Sequence, residues 1–136
     1  MPRSIYSGKK IVPLAGTIWE QADRAWNRRH FDTAERLFKQ AASMGHDDSM
    51  NSLARLFEEL GRRDQAMLWY KRAVKAGNGM AAWNIAMTHA LSGQRRWYRH
   101  WIKKAAAMGY DEAIAEAKKI AKNPGYMIRL PLEGFE

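Results

Sequence analysis

Apolar residues recur along this chain at helical intervals. Ala66, Trp69, Tyr70, Ala73 and Val74 follow the i, i+3, i+4, i+7, i+8 spacing of a single buried stripe. Met50, Leu53, Ala54 and Phe57 draw a second stripe, which stops at Gly61, a residue able to take the left-handed conformation that closes a helix. The alternation of a half-buried strand fits neither segment. Extended along the chain, the pattern predicts seven helices, near residues 15–28, 32–44, 48–60, 64–76, 80–92, 95–108 and 111–122. That is three pairs and a final unpaired helix.

The pattern also repeats. "AASMG" at 41–45, "AVKAG" at 73–77 and "AAAMG" at 105–109 each follow the last by 32 positions. At the same interval Ala34 falls over Ala66, Leu37 over Trp69 and Trp101, Phe38 over Tyr70 and Ile102, and Ala22 over Ala54 and Ala86. Gly61 matches Gly93, with Arg29 as the earlier counterpart. A period of this size is the signature of stacked supersecondary units, each too small to bury its own apolar face. The small residues Ala41, Ala73 and Ala105 then let neighbouring helices approach closely, and Gly45, Gly77 and Gly109 end the second helix of each pair. Asp32 and Asp64 stand where N-caps are expected, Asp32 with Glu35 at capping-box spacing, and Asp47 or Asp48 and Asp111 serve the first helices. In the third pair Arg96 replaces the capping aspartate and predicts a weaker helix start.

"LGRRDQAMLWYKRAVKAG" (60–77) resembles the second half of a tetratricopeptide unit, and "WYKRAVKAGN" and "WIKKAAAMGYDEA" resemble the related Sel-one-like repeat still more closely. The likeness covers about 15–122. The period is shorter than in either family, and the glycine-rich turn within a Sel-one-like unit is missing. The resemblance implies an all-α, right-handed solenoid of about three helix-turn-helix repeats and a C-terminal capping helix, which binds other proteins and carries no activity. The organisation expected is an N-terminal arm over 1–14, the repeat domain over 15–122 and an extended C-terminal tail over 123–136.

The chain has 136 residues, enough for one ordinary domain, and no cysteine, which excludes disulfides, thiolate metal sites and cysteine nucleophiles. The apolar run from Ile11 to Ala15 is broken by Pro13 and too short for a signal-peptide core, and no stretch has the length of a membrane span. A cytoplasmic protein without membrane insertion is expected. The formal charge is +9, and between Asp64 and Asp111 there is no acidic residue while eight bases occur. Such a field favours an acidic protein or peptide, with nucleic acid as the second candidate.

If the first helix of each pair lines a concave surface, register places Trp19, Asp23 and Trp26, then Asn51, Arg55 and Glu58, then Trp83 and Met87, on its exposed positions. A solvent-facing tryptophan there would anchor a partner side chain; alternatively Trp19 and Trp83 pack beneath the terminal segments. Arg28 and Arg29, Arg62 and Arg63, and Arg95 and Arg96 fall at the turns inside the pairs, where stacking would align them as a basic edge or leave them as a solvated one. The segment "QRRWYRHWIKK" (94–104) interleaves bases and aromatics as single-strand binders do, with Arg99, Lys103 and Lys104 among the bases. Register assigns Trp101 to the core, as it does Leu37 and Trp69, and leaves Trp97 exposed. Tyr98 takes an alanine column and His89 the column of Phe57, two departures that can compensate; His89 is read as a core histidine with a nearby hydrogen bond.

No metal-ligand spacing joins His30, His46, His89 and His100, and no Walker loop, dinucleotide glycine motif or nucleophile elbow occurs. A non-catalytic module without cofactor is expected. The tail turns at Asn123-Pro124-Gly125 and then runs extended, either covering the last helix or occupying a groove.

Overall fold

The computed structural model describes residues 8–130, with side chains from residue 14 onward. Among these residues there are seven helices and no strand: α1 (Gly8–Asn27), α2 (Phe31–Ser43), α3 (Asp47–Glu59), α4 (Arg63–Lys75), α5 (Gly79–Leu91), α6 (Arg95–Ala107) and α7 (Asp111–Lys122). They belong to two compact units, the first ending at Ala76 and the second beginning at Gly77. In the first, α1 packs on α2, α2 on α3 and α3 on α4. In the second, α5 packs on α6 and α6 on α7.

The predicted stripes are the buried faces. Ala34, Phe38 and Ala41 of α2, Leu53, Ala54 and Phe57 of α3, and Ala66, Tyr70 and Ala73 of α4 are buried. In the second unit Ala86, Tyr98, Ile102 and Ile120 form a cluster that Trp83, Met87, Trp101 and Ala117 flank. The small residues Ala41, Ala73 and Ala105 are fully buried, as a close helix approach requires. Leu37, Trp69 and Trp101, which register assigned to the core, are only half-buried. They sit at the margin of each stripe, where a wide side chain covers the seam while one edge stays wet.

The helix boundaries correct several expectations. α1 starts at Gly8 and takes in residues 8–14 of the expected arm; residues 1–7 lie outside the described residues. Asp32 and Asp64 are not caps. The N-caps of α2 and α4 are His30 and Arg62, neither with a capping side-chain bond, and the aspartates lie one position inside the first turn, where they still oppose the helix dipole. The reason is the turn before them. Gly61 takes a positive φ of 76°, Arg62 N–H bonds the Phe57 carbonyl at 2.8 Å, and this closing motif sets where the next helix starts. Arg29 does the same job at φ 63° with no glycine. Glu35, rather than completing a capping box, pairs with Lys39 and Arg62.

The side chains that do cap are His46, whose Nδ1 accepts the Ser49 N–H at 3.2 Å, and Asn78, whose Oδ1 accepts the Ala81 N–H at 2.8 Å. Asp47 and Asp111 are the first residues of α3 and α7, behind N-caps His46 and Tyr110. α6 starts behind Gln94 with Arg95 and Arg96 and no acid in its first turn.

Residues 126–130 have no regular structure, and Tyr126, Met127 and Ile128 pack against the cluster of the second unit. The tail thus covers apolar surface of α5–α7 over its described length; residues 131–136 lie outside it.

Candidate functional site

The residues proposed for a groove turn out to be largely committed to the fold. Trp19 is half-buried, donates its indole N–H to Ser52 Oγ at 2.9 Å and lies 6.3 Å from the His46 ring. Trp26 donates to Glu59 Oε2 at 2.6 Å, meets Phe38 edge-on at 5.9 Å and carries the Arg55 guanidinium over its ring at 5.4 Å. Asn51, expected on the exposed face, is only 4% exposed; the α3 stripe is wider than the apolar residues alone suggest, with Ser49 and Ser52 buried beside it. Asp23 is half-buried, while Arg55 and Glu58 are exposed. Glu58 accepts a hydrogen bond from the buried Tyr70 hydroxyl, and burial, reinforced by that carboxylate, pushes the phenol well above its ordinary range.

Trp83 differs from the other two. It is half-buried and stacks at a tilt on Tyr110 at 5.7 Å, but its indole N–H meets no acceptor among the described residues. It lies on α5, which between Gly79 and Leu91 has no Asp, Glu, Lys or Arg, and which also carries the half-buried Met87 and the exposed Met80. Gly79 makes this arrangement feasible, since a Cβ there would lie 3.3 Å from the Tyr110 Cβ.

The basic edge divides in two. In the first unit Arg29 approaches Glu59 at 3.8 Å and lies over Phe31, and Arg62 bonds Glu35 at 3.2 Å and lies over Phe57. Arg28 and Arg63 are exposed. In the second unit Arg95, Arg96, Lys103 and Lys104 are exposed, with no carboxylate among the described residues within ion-pairing distance, and Arg99 donates to the Pro124 carbonyl at 3.1 Å. Beside these charges runs a row of rings. Trp97 is 49% exposed; His89 stacks on it at 6.1 Å and 28°, His100 meets its edge at 5.8 Å, and His100 meets Trp101 at 5.4 Å. His89 is half-buried, not core, and its Nδ1 pairs with Gln94 Oε1 at 2.6 Å. Tyr98 does fill the centre of the unit, fully buried.

One constellation has no counterpart in the expected sites. Glu116 is a carboxylate only 5% exposed on the buried stripe of α7. It accepts the Tyr98 hydroxyl at 2.8 Å and Lys119 Nζ at 3.0 Å, and the Tyr126 hydroxyl of the tail acts on its charge. Burial alone would push its pKa up, but the donors from Lys119, Tyr98 and Tyr126 outweigh that and hold it below the usual glutamate range. The spacing of Ala113, Glu116, Ala117 and Ile120 was the available signal, because a carboxylate at a stripe position must find partners.

Among the described residues no three His, Cys, Asp or Glu side chains are grouped to hold a metal, and no helix is long and apolar enough to cross a membrane. No protein-family model matches the chain, and no curated protein is significantly similar to it, so what it does has to be read from these two surfaces of the second unit.

Proposed function

We propose that this chain is a non-catalytic protein-interaction module, a short solenoid of Sel-one-like, tetratricopeptide-like repeats that works in the cytoplasm and recognises a peptide or acidic protein surface. The reading is supported by helices α2 to α7 beginning at 31, 47, 63, 79, 95 and 111, and by positive φ at Gly45, Gly61, Gly77, Gly93 and Gly109, the same interval apart. Regular helix–turn spacing of this kind is what repeat architectures need in order to share a core between neighbours. The absence of any recognised catalytic motif is consistent with recognition rather than chemistry.

The observation that carries the proposal is Trp83. Of the three tryptophans assigned to the groove, it alone keeps an unclaimed indole N–H among the described residues, next to Met80 and Met87 on an uncharged helix. An amphipathic ring with a spare donor, framed by adaptable thioethers, is a suitable anchor for a partner's apolar side chain and one backbone carbonyl. Arg55 and the exposed arginines then favour an acidic partner over others by long-range attraction.

The test is affinity capture with the full chain at two ionic strengths, followed by identification of the retained proteins. One or a few proteins retained, and lost with Trp83→Ala but not with Trp19→Ala when both variants remain helical by circular dichroism, is the expected result. Retention indifferent to Trp83→Ala would sink the reading.

A further inference from the structure

That reading draws on the outer face of α6 only as long-range positive charge, and the rings on this face play no part in it. The positive charge of the face is not part of the fold's own electrostatics. Arg96, Lys103 and Lys104 have no carboxylate within ion-pairing distance among the described residues, and no Asp or Glu occurs on α6 at all. Arg96 and His100 are four positions apart, and Lys103 and Lys104 follow one further turn along, so these groups recur on one face about every 6 Å of helix. Arg95, Arg96, Arg99, His100 and Lys103 line a single open concavity.

The same face is bordered by aromatic rings held in place before any ligand arrives. Trp97 is exposed, and His89 stacks on it at 28°, a contact that favours one orientation of the ring. Arg96 lies 5.9 Å from the Trp97 ring centroid, putting a cation beside the stacking surface. An acidic polypeptide would use the charges and leave the rings idle. A polymer with an anion and a flat base in every repeat would use both.

We infer that the outer face of α6 binds single-stranded nucleic acid, its phosphates along Arg96, Lys103 and Lys104 and a base stacked on Trp97 against His89. Phosphates and base faces are common to DNA and RNA, and nothing on this face is specific for a 2′-hydroxyl.

The experiment measures fluorescence anisotropy of labelled oligo(dT) and oligo(rU) with the full chain, beside labelled polyglutamate as a polyanion without bases. Binding of either oligonucleotide is expected to weaken roughly 5- to 150-fold in Trp97→Ala, the range lost with one base–aromatic stack. Trp97→Phe should keep most of it, and polyglutamate binding should not respond to either variant. The log–log salt slope should shrink by about 0.7 on removal of one phosphate contact in Arg96→Gln. Trp83→Ala should leave oligonucleotide binding intact, so failure of the protein-binding reading and failure of this one give different results. No oligonucleotide binding at low salt, binding indifferent to Trp97→Ala, or a loss on Trp97→Ala that polyglutamate shares equally would overturn the inference; in the last case the face takes acidic polypeptides.

Discussion

Each unit buries a tyrosine whose hydroxyl reaches a glutamate, but the two pairs are built differently. Tyr70 on α4 bonds Glu58, which is exposed on α3, whereas Tyr98 on α6 bonds Glu116, which is buried on α7 and also held by Lys119. The arginines divide in the same sense. In the first unit Arg29 and Arg62 face the unit's own glutamates, whereas on α6 the cations have none. The second unit thus turns one acid, Glu116, inward and leaves the bases of α6 outward. A charge spent on the fold is unavailable to a partner, and where the acids go decides which bases are spent.

The largest expected effect separates core filling from hydrogen bonding. Tyr98 occupies a column that is Ala34 and Ala66 in the first unit, so Tyr98→Ala restores the repeat in sequence while emptying a site that is fully buried. It should cost about 3–5 kcal/mol in urea denaturation, as for other large aromatic truncations. A cost near zero would mean that the unit can close around alanine, and that Tyr98 is not its centre.

Truncating only the hydroxyls is a finer probe. Tyr98→Phe deprives a buried carboxylate of a donor and should cost about 1.5–3 kcal/mol; Tyr70→Phe, whose partner Glu58 faces solvent, should cost about 0.5–1 kcal/mol. Equal costs would erase the distinction between the pairs. Acid probes the same network. Because Glu116 is held below its unfolded pKa, the stability it contributes is complete above the ordinary glutamate range and is lost as the pH falls through the folded value. Tyr126 fluorescence or tail proteolysis should therefore report loosening as the pH falls below the ordinary glutamate range, and Glu116→Gln should flatten that dependence. At the alkaline end Tyr98, raised chiefly by burial and then by Glu116, loses its contribution only as the pH rises past the ordinary phenol range near 10.

Much of this was legible in the sequence, and the failures have physical causes. The stripes through Phe38, Leu53, Tyr70 and Ile102, and the glycine turns, followed from apolar period and backbone freedom, both of them local properties. The caps did not, because residue type points to Asp32 and Asp64 while the preceding left-handed turn places the N-caps two residues earlier, at His30 and Arg62. Register describes a helix alone and so leaves Trp19 and Trp26 exposed, whereas their partners Ser52 and Glu59 come from α3; Asn51 is itself buried on α3, beside Ser49 and Ser52. The ring row of His89, Trp97, His100 and Trp101 crosses from α5 to α6, so only its α6 half was visible as a motif. Glu116 leaves little mark in the charge pattern, because a single buried acid is hidden within an excess of bases.

A smaller effect tests the turns. Arg29 holds φ 63° where Gly61 and Gly93 hold similar values at the equivalent position. Arg29→Gly removes the left-handed strain but adds glycine's freedom to the unfolded chain and drops the loose contact with Glu59, which is worth little at that exposure. The balance should be a gain of about 0.5 kcal/mol, read as a higher urea midpoint at unchanged m. A loss would show that the cation over Phe31, at 5.0 Å, outweighs the strain.

A change in stability of similarly small size, once its two parts offset, bears most directly on why α6 looks as it does. α4 begins Arg63-Asp64 and α6 begins Arg95-Arg96, so the second unit places two cations at the positive end of a helix dipole where the first places one cation and one anion. Arg96→Asp copies the α4 pattern into α6 and should raise stability by about 0.3–1 kcal/mol, partly offset by losing the contact with the Trp97 ring. If the same variant also weakens oligonucleotide binding, the native arginine is a residue that costs the fold and serves a ligand, the combination expected at sites kept for function rather than stability. If Arg96→Asp is instead destabilising, the arginine belongs to the structure of α6, and the contrast between spent and unspent charge fails at the residue where it is drawn most sharply.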